Sequence, residues 1–280
     1  MQITNEMIKT LREKTGAGMM DCKRALEAVA GDMNLAIEFL RKKGAAVGAK
    51  RADRAAKEGM IVTRVAPDGK SGVIVEVNCE TDFVGRSEDF TGFANKVATV
   101  VEQKRPSSVE ELMKQNADGK TVSELYNDLL AKVGEKIDVR RFAIVETKEG
   151  AISAYTHLGN KIGVLVELQG SDAASSQGRD VAMQVAAMNP LVVSREEVDK
   201  GLIERELDIY RTQAKNEGKP DQIVDKIAVG RLEKYYQEVV LMEQTFIKDS
   251  GKTIKDYLAT AGQPVTVKRF LRFHLGEEIK

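Results

Sequence analysis

Side chains able to do chemistry are sparse in this chain. Two cysteines, Cys22 and Cys79, and two histidines, His157 and His274, are spread over 280 residues. Neither histidine has a Cys pair nearby at metal-ligand spacing. No GxxxxGK[ST] phosphate loop and no strand-followed GxGxxG occurs. Serines and carboxylates are plentiful, yet no spacing couples a nucleophile to a base. Bond-making chemistry is therefore disfavoured, and no catalytic residue, metal or cofactor is assigned. The pattern that stands out is Asn78-Cys79-Glu80-Thr81-Asp82-Phe83-Val84-Gly85-Arg86, where a carboxylate, Asp82, adjoins a large apolar ring, Phe83. Such a pair offers contact chemistry: an acid that competes for polar groups, and a ring that wedges.

The elements around that stretch define where it sits. The β-branched run Gly72-Val73-Ile74-Val75-Glu76-Val77 before it reads as a buried strand. After it, Phe90, Phe93, Ala94, Val97 and Val101 form the apolar face of a helix. A strand running into a helix start is a common place for functional loops. From spacing alone, the stretch reads as a helix N-terminus, with Thr81 or Asp82 as cap and Phe83 as a staple under the helix.

Residues up to about Gly44 read as three short helices. The first starts at Thr4 or Asn5 and breaks at Thr15-Gly16-Ala17-Gly18. The second carries Cys22, Ala25, Leu26 and Val29. The third is capped by Asp32 and buries Leu35, Ala36, Phe39 and Leu40 before Gly44. At the start of the second, one of the pair Met19 and Met20 is expected to point outward as an adaptable contact. The stretch from Arg41 to Lys57, with Lys42, Lys43, Lys50, Arg51 and Arg54, reads as a solvated, partly helical linker; an RNA contact is the rival reading.

An internal duplication sets the remaining architecture. Glu58-Gly59-Met60-Ile61 recurs as Glu149-Gly150-Ala151-Ile152, and Gly72 to Val77 recurs as Gly163 to Leu168, both at an offset of 91 positions (58 to 149, 72 to 163). Gly134 through Phe142 recurs as Gly262 through Phe270, now offset by 128 (134 to 262), so the second copy carries an insert of about 40 residues. Each copy reads strand, strand, helix, helix, strand, with the helices on one sheet face. In the insert, Ile203, Leu207, Tyr210 and Ala214, the turn Gly218-Lys219-Pro220, then Ile223, Ile227 and Leu232 describe an αα-hairpin. The expected fold class is α+β: a three-helix N-terminal domain and linker over 1–54, a first core unit over 55–145, and a second over 146–280 with its hairpin at about 191–234. His274 falls in an apolar final strand and reads as structural, while His157 sits in the turn Tyr155-Thr156-His157-Leu158-Gly159-Asn160.

Composition narrows the class of protein. Lys plus Arg and Asp plus Glu number 43 each, so a general nucleic-acid coat is disfavoured and no direct nucleic-acid contact is expected. Two isolated cysteines fit a reducing compartment. No apolar run is long enough to span a membrane and no signal peptide opens the chain, which points to a cytoplasmic location. A homodimer is compatible with these features.

Several of these motifs carry a resemblance. Leu11-Arg12-Glu13-Lys14-Thr15-Gly16-Ala17-Gly18-Met19-Met20-Asp21-Cys22-Lys23 and Asn78-Cys79-Glu80-Thr81-Asp82-Phe83-Val84 resemble the two signatures of the bacterial elongation factor Ts family. The similarity continues through Tyr155-Thr156-His157 to Phe273-His274-Leu275-Gly276-Glu277. It implies a ubiquitin-associated-like N-terminal domain, a coiled-coil hairpin, and guanine-nucleotide exchange on elongation factor Tu during translation. It further implies that Thr81, Asp82, Phe83 and Val84 intrude near the partner's magnesium site. By the same resemblance, Arg12, Met19 and Met20 dock the N-terminal domain, and His157 contacts the partner from the second unit. That implication replaces the plain helix-cap reading of Asp82 and Phe83. Gly85 and Thr245 depart from the family's usual Ala and Pro.

Overall fold

The computed structural model describes residues 3–51, 53–157, 159–170, 176–260 and 264–278. Leu158, Gly262 and Lys280 lie outside these residues, as does the side chain of Lys50. Three helices open the chain. Helix α1 (Asn5–Thr15) is capped by Thr4, whose hydroxyl accepts the Met7 N–H, and is ended by Gly16 at φ 69°. Helix α2 (Met19–Ala28) follows, then α3 (Met33–Lys50), whose Leu35 N–H donates to Asp32 Oδ1 at 2.9 Å.

Two expectations for α3 are corrected. It does not stop at Gly44 but runs to Lys50. Gly44 is a point of close approach: a Cβ there would lie 2.6 Å from the Asn127 carbonyl oxygen. Ala36 and Leu40 are buried as expected, but Leu35 and Phe39 are exposed.

The first α+β unit comprises β1 (Glu58–Val65), β2 (Ser71–Cys79), α4 (Asp82–Gly85), α5 (Glu88–Lys104), α6 (Val109–Lys114), β3 (Asn116–Ala117), β4 (Lys120–Thr121), α7 (Val122–Val133) and β5 (Ile137–Glu146). The second comprises β6 (Gly150–Thr156), β7 (Ile162–Gln169), α8 (Ser176–Met188), the hairpin helices α9 (Lys200–Asn216) and α10 (Asp221–Val239), then β8 (Thr245–Phe246), β9 (Asp249–Thr253), α11 (Ile254–Ala259) and β10 (Thr266–His274). The duplication is visible in the topology: antiparallel sheets ordered β1-β2-β5 and β6-β7-β10. Every apolar position predicted for α5 is buried. The small two-stranded sheets β3–β4 and β8–β9 have no sequence periodicity to announce them.

In the hairpin, Leu232 of α10 is buried as expected, but the rest of the stripe is Val224 and Ala228, one position out of step with the expected Ile223 and Ile227; Ile223 is exposed. Its base is fixed. Val192 bridges Val240, and the Arg195 guanidinium lies between Glu233 and Glu243 while stacking 4.4 Å above the Tyr236 ring.

The two sheets face one another, and equivalent residues from the two copies build the contact. Ile61, Ile74 and Val145 meet Ile152, Leu165 and Phe273 in one buried cluster. A Cβ on Gly72 would lie 2.9 Å from Ile152, and one on its counterpart Gly163 would lie 2.5 Å from Ile61. Backbone pairs repeat the relation: Ile61 N–H donates to Asn160 O at 2.7 Å, and Ile152 N–H to Gly69 O at 2.8 Å. Each copy also buries one carboxylate. Glu76 is held by Arg140 (3.0 Å), Arg141 (2.7 Å) and the Gly276 N–H (2.9 Å); Glu167 is held by Lys268 (3.3 Å) and Arg269 (2.7 Å).

Burial pushes the Glu76 carboxyl up, but the Gly276 N–H and the Arg141 and Arg140 guanidiniums outweigh it and hold it below the usual range. Glu167 is likewise held down, burial being outweighed by its hydroxyl and basic neighbours. A depressed carboxyl adds stability above its unfolded-state value, and that stability is lost as pH falls through the folded value. Chemical denaturation should therefore give a midpoint flat from about pH 7 to about pH 5 and falling below about pH 4. Glu76→Ala should cost about 3–5 kcal/mol, because two partly buried guanidiniums lose their carboxylate; a loss below about 1 kcal/mol would contradict a cohesive role.

Candidate partner-binding site

Strand β2, the central strand of its sheet, delivers Asn78 to Gly85 at the sheet's end. The Asn78 side-chain amide is buried without a hydrogen-bond partner among the described residues, and from Cys79 onward nearly every side chain is tied down. Cys79 is buried and its thiol donates to the Thr81 carbonyl at 3.1 Å. Burial, then the Glu135 and Glu58 carboxylates, push that thiol up to about 12. Glu80 accepts the Lys136 N–H at 2.7 Å and pairs with Arg51 at 3.2 Å and Arg54 at 3.0 Å. The Lys136 N–H and the two guanidiniums hold its carboxyl below the usual range. Thr81 donates its N–H and hydroxyl to Glu135 at 3.1 and 2.9 Å, and its hydroxyl accepts from the Val84 N–H, capping α4. Asp82 pairs with Arg86 at 2.9 Å. Val84 packs on the core of the first unit and Gly85 is buried.

Phe83 alone turns away, with 84% of its surface exposed. The cap expected at Thr81 is present, but the staple is not: the ring lies under no helix. Leaving a phenyl group in water forgoes about 1.5–3 kcal/mol of burial, so the turn around it has to be held by polar contacts. Gly85 lets that turn lie close to the sheet; a Cβ there would sit 3.3 Å from Cys79 Sγ and 3.4 Å from Gly59 Cα.

The remaining candidates stand on other elements. Arg12, Met19 and Met20 flank the short α1–α2 connection, whose Ala17 is buried. Both methionines are outward, 51% and 60% exposed, where one was expected. His157 is exposed, with Nδ1 3.1 Å from the Tyr155 hydroxyl. Its turn is pinned to β1 through the Asn160 carbonyl. A cleft of about 380 Å³ between α3, α5 and α7 includes none of Phe83, Met19, Met20 or His157. Candidate contacts are thus distributed over three patches.

Sequence reasoning missed the residues that brace the tip. Glu135 and Arg51 lie far from Thr81 and Glu80 along the chain, and no periodicity links them. The basic stretch is partly helical and largely exposed, as expected of a solvated linker, but several of its cations are paired: Lys42 with Glu38 on the same helix, Lys43 with Asp21, and Arg51 and Arg54 with Glu80. Among the described residues, no group of three His, Cys, Asp or Glu side chains could hold a metal ion, and no helix is long and apolar enough to cross a membrane.

Fold and site together define a protein of contact surfaces: two sheet units packed face to face, with exposed apolar side chains on braced turns. Residues 80–277 match the family model for elongation factor TS. The chain is 48% identical to elongation factor Ts of Clostridium perfringens strain SM101, over 99% of this chain and 94% of that protein. It is 48% identical to that of Prosthecochloris aestuarii, over 98% and 99%, and 45% identical to that of Chloroherpeton thalassium, over 99% of each. The chain belongs to the elongation factor Ts family, which makes it a factor of translation elongation.

Both cysteines are buried and free, and burial raises the Cys22 thiol as well. A disulfide-exchange reagent at neutral pH should therefore leave the native chain unmodified for minutes and label both thiols at once on unfolding. Rapid native labelling of Cys79 would contradict the packing assigned to the tip.

Proposed function

We propose that this chain binds elongation factor Tu in its GDP form in the cytoplasm, disturbs the magnesium and phosphate site, and promotes GDP release so that GTP can enter. The observation that carries this reading is the exposure of Phe83 on a turn whose neighbours are all fixed. A bound nucleotide is held through its phosphates and a magnesium ion that requires near-ideal octahedral oxygen coordination. An exchange factor makes and breaks no bond. It needs only to bind its partner more tightly when that site is distorted, and linkage then opposes its affinity to that of the nucleotide.

In this reading Phe83 wedges into an apolar crevice of the partner and Asp82 competes for groups that organise the metal shell. Thr81 and Val84 hold the turn, one as cap and the other as its foot in the core. Arg12, Met19 and Met20 of the N-terminal domain (1–54) and His157 of the second core unit (146–280) supply anchors away from the tip, which the first core unit (55–145) carries. The hairpin is the family's protruding coiled coil.

Burying a phenyl ring is worth about 1.5–3 kcal/mol, so Phe83→Ala should lower stimulated GDP release by about 10- to 100-fold. Because the ring is already exposed, its removal should leave the melting temperature unchanged. Fluorescent GDP release and a thermal melt test both halves; unchanged release would reject the wedge. Met19→Ala with Met20→Ala should instead raise the concentration of chain needed for half-maximal stimulation. An unaltered titration would remove those residues from the docking surface.

A further inference from the structure

Two adjacent carboxylates cross between the tip and the turn after α7. Glu80, before the tip, accepts the Lys136 N–H, while Glu135, before Lys136, accepts the Thr81 N–H and hydroxyl. The exchange is reciprocal, each acid reaching past its own backbone to the next residue of the other segment. A third segment joins it. Arg51 and Arg54, in the linker that follows α3, both reach the Glu80 carboxylate, and Lys136 Nζ donates back to the Arg54 carbonyl at 2.9 Å. Helix α3 also reaches the same turn through α7, against which Gly44 packs and with which Arg41 pairs at Asp128, 2.9 Å away. The N-terminal bundle is therefore joined to the tip by two routes, one through the linker guanidiniums and one through α7 and Glu135.

We propose that Glu80 is a positioning residue: it clasps the α3–β1 linker to the base of the tip, so that docking of the N-terminal bundle fixes where Phe83 points. The inference rests on the exchange reading above. Glu80 commits its carboxylate to groups of its own chain, Arg51, Arg54 and the Lys136 N–H. It acts through the tip, and its side chain is only 17% exposed, so its contacts with the guanidiniums are stronger than those of a solvated surface pair. Without the clasp the bundle can still dock, but the linker no longer transmits its position and the ring samples more orientations. The cost falls on turnover rather than on binding.

The test uses the full chain carrying Arg51→Ala with Arg54→Ala, and separately Glu80→Gln, which keeps an acceptor for the Lys136 N–H. For GDP release from elongation factor Tu, both variants should lower kcat by about tenfold and leave KM within about twofold. Arg51→Lys with Arg54→Lys, which retains the charges, should recover most of the loss. In the chain alone, hydrogen exchange at the amides of residues 81–85 should quicken by about tenfold in the alanine variant. Unchanged kcat, a loss confined to KM, or unchanged amide exchange would each overturn the proposal. If the unsubstituted chain failed to speed GDP release, the exchange reading would fall, while the amide-exchange arm would still decide whether the clasp holds the tip.

Discussion

The whole arrangement depends on two glycines facing two isoleucines. Gly72 and Gly163 have no side chains, and into the space each leaves comes the isoleucine of the other copy, Ile152 or Ile61. A sheet that is buried on both faces can dispense with water only if its polar groups are paired internally. The duplicated units pair their buried carboxylates in the same way twice. Glu76 and Glu167 each find a basic pair on the last strand of their own unit. The guanidiniums that hold them also reach the other unit, Arg141 to Glu277 and Arg269 to the Glu146 carbonyl. Apolar contact supplies cohesion between the sheets, and the paired charges fix their register.

That rigidity gives the tip its value. A four-residue helix is too short to be stable alone. Here it is anchored below by Val84 and Gly85, in front by Glu135, and behind by Glu80 and the linker. The result is a phenyl ring held in water by its neighbours, a local arrangement that folding alone does not favour. The candidate contact residues on the N-terminal helices and on the β6–β7 turn stand apart from it. A surface divided in this way suits a large partner gripped at several points.

Much of this was legible in the sequence, and the reasons for the failures are physical. The repeated strands were readable because β-branched runs and their offsets are local properties. The face of α5 was readable because seven of its residues are buried at helical spacing. Gly44 was misread because glycine serves both as a helix terminator and as a point of close approach, and only the position of α7 distinguishes them. The first two positions of the α10 stripe slipped by one residue because apolar residues are adjacent there, Ile223 beside Val224 and Ile227 beside Ala228, and only packing decides which is buried. Glu135 and the paired guanidiniums were invisible because a hydrogen bond or ion pair between distant segments leaves no mark on either. Phe83 was misread from spacing as a staple, since capping patterns do not encode which way the following ring turns.

The central claim is that an exposed ring on a braced turn becomes buried against the groups that hold a partner's nucleotide and magnesium. A crystal structure of this chain with nucleotide-free elongation factor Tu measures it most directly. The account predicts that Phe83, 84% exposed in the chain alone, loses that exposure within the partner's nucleotide-binding domain. A well-formed complex in which the ring still faces solvent would contradict it.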